Sequence, residues 1–422
     1  MKPLCLLFLL LAASVQADSS GWPEFRGPTG DGVVATTLPT QWSETSGITW
    51  KQAIPGAGWS TPLILEGKVW ITTASLTGRT MSALCLDEKT GDILWEKTLI
   101  TNDNPEPLAN KVNSYASSTG AIESGRVYLH FGAYGTFCLD TTSYETLWQR
   151  RDITLSHWRG PASSLVLAGD RLVLTMEGAD QQYFVALSTA DGKTLWRRDR
   201  STAYNDEKDG IPANSGDMRK GFSTPLLVPV GDKVQVISNG SKACWAYDLA
   251  TGQEIWQVTY ETHSPSSRAV YDSETKQVFV NTGLGKAEIW AIRLDETTLG
   301  NVTDSHVNWK FFKRAAKRSS PVLMKGHLYM ANDGVVSCVD IKTGEDRWAE
   351  RAGGEYSASL LANQDLLYCC DEDGGTFIIK AAPTFELVAE NRLDAGMMAS
   401  PAVSGSALFL RTRTHLYRID AP

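Results

Sequence analysis

One frame recurs along this chain and limits what it can fold into. The stretch LCLDEKTGDILW places Thr90-Gly91 three and four residues after Asp87, and Trp95 eight after it. The same spacing returns at Asp248, Thr251-Gly252 and Trp256, and at Asp340, Thr343-Gly344 and Trp348. Looser copies read Asp140, Ser143-Tyr144 and Trp148, and Ser188, Asp191-Gly192 and Trp196. One copy stretches the loop between Arg293 and Trp309, and another, from Lys380 to Val388, has lost both Gly and Trp. Taken alone, Asp87, Glu88 and Asp92 around Gly91 look like a calcium loop. An EF-hand loop wants alternating acidic ligands and a distal Glu. Asp87-Glu88-Lys89 does not alternate that way, and repetition favours a structural part.

A second motif precedes each copy: a Ser/Thr/Pro step, a strand, a short turn and another strand. Examples are STPLILEGKVWITT (60–73), SSLVLAGDRLVLTM (163–176), SSPVLMKGHLYMAN (319–332) and SPAVSGSALFLRT (400–412). Their apolar/polar alternation and Val/Leu/Ile content read as paired strands. Each unit thus supplies four short strands. Trp residues follow one another at intervals of about 40–60 residues, a spacing that with four strands means propeller blades. The last unit ends at LYRID (416–420) without a fourth strand, and Ile48-Thr49-Trp50 can supply it. The expected fold is all-β: an eight-bladed β-propeller of four-stranded antiparallel blades over residues 46–422, closed by the N-terminal strand.

The repeated residues have structural roles. Gly91, Gly252 and Gly344 permit the positive φ of a tight turn. Asp87, Asp140, Asp248 and Asp340 can accept hydrogen bonds from backbone N–H groups in those turns. Trp50, Trp95, Trp148, Trp196, Trp256, Trp309 and Trp348 offer large rings to wedge between neighbouring blades. Cys85, Cys138 and Cys338 sit two residues before the repeated Asp, where other blades have Ala186, Ala246 and Ala291. That slot wants a small buried residue, and a free thiol behaves as one. Cys369-Cys370 are adjacent on a strand, so they should point to opposite faces.

Residues 1–17 read as a signal peptide: Lys2, an apolar run from Leu4 to Ala13, and a small-x-small site ending at Ala17. A lipoprotein signal wants a Cys just after the apolar run, whereas Cys5 stands at its start, so lipid anchoring is not expected, and no later stretch is long and apolar enough to span a bilayer. The expectation is export to the periplasm or beyond, with residues 18–45 as an N-terminal extension. The formal charge of −8 argues against nucleic acid as partner.

Topology points to one face of the ring. In a four-strand meander the Thr-Gly turns lie on one face, and the second turns and inter-blade connectors lie on the other. The longest excursions, 97–116 and 199–222, fall on the connector face, and long loops on a rigid scaffold usually carry function. Asn113, Tyr115, His157, Trp158, Arg159 and Arg413 map there as ligand candidates. The basic cluster Lys313, Arg314, Lys317 and Arg318 lies on a connector of the same face and could dock an acidic partner. The sequence shows no His-x-x-x-His pair, nucleophile elbow or haem-attachment motif.

The Asp-x-x-Thr-Gly-x-x-x-Trp copies and the Ser-Thr-Pro strand starts resemble the pyrroloquinoline quinone (PQQ) repeat family. The resemblance covers about residue 46 to the end. One branch of that family is the PQQ-dependent dehydrogenases, which use the quinone with calcium. Another is the non-enzymatic BamB type, linked to outer-membrane barrel assembly. The stretch WPEFRGPTGDG (22–32), with KVNSYASSTGAI and HFGAYGTFCLD, is similar to exported BamB-like propellers of planctomycete-type bacteria. The resemblance implies a non-catalytic binding or scaffold protein with a cell-envelope partner or small ligand on the connector face. The alternative it implies is a PQQ-dependent alcohol or sugar dehydrogenase. That branch clamps PQQ with adjacent cysteines, for which Cys369-Cys370 is the only pair here. Its calcium ligands find no matching motif; Glu177, Asn281 and Asp333 merely follow second strands.

Overall fold

The computed structural model describes residues 21–110 and 112–422. The expected signal peptide lies outside this range. Eight four-stranded antiparallel sheets follow one another around a ring. Blade 1 comprises Leu63–Leu65, Lys68–Ala74, Thr80–Asp87 and Ile93–Thr101. Blades 2 to 7 begin at Ala121, Val166, Leu226, Val270, Val322 and Leu361. Blade 8 is made of Ala402–Ser404, Ala407–Arg411 and His415–Asp420, completed by Trp50–Ala53. Trp50 pairs with Arg418 and Ala53 with His415, so both ends of the ring share one sheet. The first strands are innermost: those of neighbouring blades lie against each other around the axis.

The repeat acts between blades. A Cβ on Gly91 would stand 2.7 Å from the Trp50 ring, and Trp50 Nε1 donates to the Glu88 carbonyl at 3.1 Å. The turn of blade 1 is therefore the seat of the Trp from blade 8, and its φ of +80° is open to Gly. Trp148 sits likewise over Gly192, Trp196 over Gly252 and Trp309 over Gly344. Their Nε1 atoms donate to the carbonyls of Thr189, Leu249 and Ile341. Asp87 Oδ1 accepts from Lys89 N and Thr90 N, both at 2.8 Å, and Asp140, Asp248 and Asp340 accept from their own turns.

Three blades depart from the expected docking. Trp95 stacks on Tyr144, centroids 5.3 Å apart, where blade 2 has no glycine. Trp348 meets Phe385 edge-on, because blade 7 has lost its glycine turn. Trp256 has no such turn to dock on, since the stretched loop of blade 5 replaces it; its Nε1 donates instead to Gln235 of its own blade at 2.8 Å. The stretched loop adds Gly300–Asn301 as a parallel edge strand on blade 4.

The small slot has a direct cause. Cys85 pairs across the strands with Trp95, Cys138 with Trp148, Ala186 with Trp196 and Cys338 with Trp348. A small side chain there leaves room for the indole. Blade 7 reverses the sizes, with Ile378 opposite Ala389.

A funnel on the connector face, closed from behind by the N-terminal segment

The residue two places before each first strand faces the axis. Seven of these positions are Ser or Thr: Thr61, Thr119, Ser164, Thr224, Ser320, Ser359 and Ser400. They form a relay around the ring. The N–H of Thr61 donates to Thr119 Oγ1 at 2.9 Å, Thr119 to Ser164 at 3.0 Å, and Ser164 to Thr224 at 3.0 Å. On the far side Ser320 donates to Ser359 at 3.1 Å and Ser359 to Ser400 at 2.9 Å. The Ser-Thr-Pro steps of the sequence are thus the inner collar of the propeller.

Blade 5 breaks the collar with Arg268. Its N–H still donates to Ser320 Oγ at 3.0 Å, but its guanidinium turns to the N-terminal segment. Nη1 donates to the Phe25 carbonyl at 2.9 Å, Nε donates to the Pro225 carbonyl at 3.0 Å, and Nη2 lies 3.4 Å from Glu24 Oε1. Residues 22–34 therefore run across the axial channel. Trp22 bridges to Ile64 of blade 1 and Glu24 to Ala121 of blade 2. Arg26 reaches the Pro321 carbonyl of blade 6 at 2.6 Å, and Val33–Val34 pair in parallel with blade 7. A Cβ at Gly30 would fall on the Arg268 guanidinium, so the GPTGDG run is shaped by this crossing. Arg26 is fully buried beside Arg268, and burial lowers its pKa to about 9. Nothing in the repeat foretold this segment. The visible signal is Ser-Ser-Arg at 266–268, where every other blade has Ser or Thr in the place of the Arg.

With the rear crossed, the channel becomes a funnel of about 480 Å³ opening on the connector face. Phe25 lies in its floor, collar hydroxyls and Trp59 line its wall, and connector residues form its rim. The rim is charged and internally paired. Arg159 binds Asp217 through two contacts of 2.9 and 2.5 Å, and Lys220 meets the same carboxylate at 2.7 Å. The Arg159 hydrogen bond draws Asp217 down to about 2 against its partial burial. Lys317 pairs with Asp333 at 2.6 Å, and Arg318 with Glu355 and Glu372 at 2.9 and 3.1 Å.

Of the candidates read from sequence, Asn113, Arg159, Lys317 and Arg318 line the funnel. Asn113 Nδ2 donates to the Arg159 carbonyl at 3.0 Å. Trp158 stands behind the rim with the Lys220 ammonium 3.0 Å over its ring. Tyr115 is buried in the core between blades 1 and 2, its hydroxyl donating to the Glu106 carbonyl. His157 lines a separate cavity. Arg413 is exposed near Met398, outside the lining set. Lys313 and Arg314 are also exposed, paired with Asp346 at 3.7 and 3.0 Å. The basic cluster is therefore divided between rim and periphery, and each member has an acidic neighbour.

The quinone-and-calcium group does not fit these residues. Cys369 faces the core shared with blade 6 and Cys370 the core shared with blade 8. Side chains on opposite faces of one strand do not make a clamp. Glu177 is held by Arg200 at 2.7 Å, and Asn281 is spent on the Ala316 carbonyl and Gly283 N–H. Asp333 is paired with Lys317. Among the described residues no three His, Cys, Asp or Glu converge as metal ligands.

A family profile described as "Outer membrane protein assembly factor BamB" matches residues 24–151, 84–350 and 185–421, together nearly the whole chain. The chain belongs to this BamB family of PQQ-like propellers. A curated relative, outer membrane protein assembly factor BamB of Shewanella oneidensis, is 23% identical over 313 residues, 68% of this chain and 70% of its own. BamB from Moraxella catarrhalis has a similar structure, with a TM-score of 0.58 at 11% identity over 88% of this chain and 99% of that one. A europium-containing methanol dehydrogenase scores 0.68 at 10% identity, covering 96% and 99%. The quinohemoprotein alcohol dehydrogenase of Comamonas testosteroni scores 0.64 at 12%, covering 94% and 80%. At such identities these likenesses are of fold. No helix among the described residues is long and apolar enough to cross a membrane.

Proposed function

We infer that this BamB-family propeller is an exported, non-catalytic binding protein of the cell envelope that engages a protein partner through its connector face. The observation that carries this reading is the one-ended funnel. The N-terminal segment occupies the rear of the channel, so the long connectors and the charged rim all surround a single mouth. Such a rim gives specificity and orientation, since a partner must match or replace its ion pairs. The relatives named for outer-membrane protein assembly support the envelope setting.

The competing reading is a PQQ-dependent dehydrogenase, which the fold likeness to methanol dehydrogenase favours. An absorbance titration of the purified protein with PQQ and calcium tests between them. No saturable uptake is expected. Stoichiometric uptake, with reduction of an artificial acceptor by an alcohol or sugar, would overturn the binding-protein reading.

A further inference from the structure

The collar leaves hydroxyl protons unspent at the base of the funnel. Thr119, Ser164, Thr224, Ser359 and Ser400 line it, and each is more than nine-tenths buried. Each of their hydroxyl oxygens accepts the backbone N–H of the collar residue one blade before it. A hydroxyl also has one proton to donate. Among the described residues none of these five protons meets an acceptor. The same bond, repeated around the ring, thus fixes five oxygens and leaves five donors around one axis. A buried donor without a partner is costly, so the base of the funnel calls for a group that brings acceptors.

The wall and rim narrow the choice. Trp59 Nε1 is already given to the Val112 carbonyl at 3.0 Å, so this side chain offers the funnel only its ring. Phe25 in the floor and Phe222 in the wall add two more rings. Water would satisfy the hydroxyls but not these apolar faces. Higher up, Asn113 spends Nδ2 on the Arg159 carbonyl, and His263 spends Nδ1 on Ser264 Oγ at 3.0 Å. Asn113 Oδ1 and His263 Nε2 stay open to a ligand. The three cations of the lining, Arg159, Lys317 and Arg318, are paired with its three carboxylates, Asp217, Asp333 and Glu355. A charged ligand would have to break one of those pairs to gain a partner, whereas a neutral one leaves them whole.

We propose that the funnel binds a neutral mono- or disaccharide. Its inner hydroxyl oxygens accept from the collar, its C–H faces lie against Trp59 and Phe222, and its outer hydroxyls meet Asn113 and His263. The volume of about 480 Å³ is within the range of small-molecule sites. The proposal rests on the reading of this side of the propeller as its binding face, and it places a ligand below the rim that meets the protein partner.

Isothermal titration of the full mature protein, without PQQ or calcium, tests it with glucose, N-acetylglucosamine, maltose, cellobiose and N,N′-diacetylchitobiose. Glucuronate and glucosamine are the charged controls. Saturable binding of at least one neutral sugar is expected, at least tenfold tighter than either control. Ser164→Ala combined with Ser400→Ala removes two collar protons and should weaken that binding about tenfold or more. Ser266 lines the funnel outside the collar, so Ser266→Phe narrows the space without touching the collar bonds and should weaken binding similarly. The proposal is overturned if no neutral sugar binds, if a charged control binds as tightly, or if both variants bind like the parent. Rim photo-crosslinks to an envelope protein without sugar binding would remove this site and leave the partner reading; sugar binding without such crosslinks would do the reverse.

Discussion

Arg268 Nη1 donates to the Phe25 carbonyl at 2.9 Å, joining blade 5 to the segment that crosses the channel. Arg268 is also the one residue that interrupts the Ser/Thr collar. Exchanging it for serine would restore a collar hydroxyl and release the crossing. Arg268→Ser should destabilise the protein by about 3 kcal/mol, because it leaves the Glu24 carboxylate buried without its cation. Amide exchange should rise across residues 22–34 and stay slow in the blade cores. Unchanged exchange in that segment would show that Arg268 does not hold it.

The docking turns yield a matched pair of substitutions. Gly91 and Gly67 have similar φ, +80° and +75°, but only Gly91 carries a Trp against its Cα face. Gly67→Ala meets nothing within 4 Å and should cost about 1 kcal/mol of backbone strain. Gly91→Ala adds displacement of Trp50 and should cost about 2–4 kcal/mol. Denaturant unfolding of both variants checks the difference, which isolates the seat between blades 8 and 1.

His130 sets a pH dependence. Its folded pKa lies near 4, depressed by burial, against an ordinary 6.5. The unfolded chain therefore binds more protons between those values, and stability falls as pH drops from 6.5 towards 4. The contribution lost is about 3 kcal/mol. His130→Gln should make the stability profile shallower over that window, with His157, also lowered to about 4 by burial, keeping the remaining slope; unfolding midpoint against pH measures it. A profile as steep as the parent's would contradict the assignment.

The cysteines should behave as packing residues. Burial raises Cys85, Cys138 and Cys338 to about 12. Cys369 and Cys370 are buried on opposite faces. Alkylation of the native protein should label none of the six buried thiols, and alkylation after unfolding should label all six. A Cys369–Cys370 disulfide found by mass spectrometry would contradict the strand placement.

Much of the fold could be read from local spacing. The Asp, Gly and Trp of each copy lie within one hairpin, so their frame shows in sequence although Trp docks one blade onward. Blade 5 marks the limit of such reading: its stretched loop shows in the sequence, but the turn of Trp256 to Gln235 of its own blade does not. The site was less legible. Glu24 meets Arg268, and Glu177 meets Arg200, through contacts that only ring closure or burial creates. A motif scan sees residue types, whereas the seat of the buried Glu177 carboxylate depends on where Arg200 sits and on glycines at 221 and 240. Arg268 was the exception, since an arginine among collar hydroxyls is visible once blades are aligned.

The central claim is that this propeller works through its connector face. Photo-crosslinking in the native envelope tests it most directly, with a photoreactive residue placed at Asn113 or Arg318 on the funnel and at Lys89 on the opposite face. Adducts with one defined envelope protein are expected from the two funnel positions and not from position 89. Adducts from position 89 alone, or from none of the three, would contradict the claim.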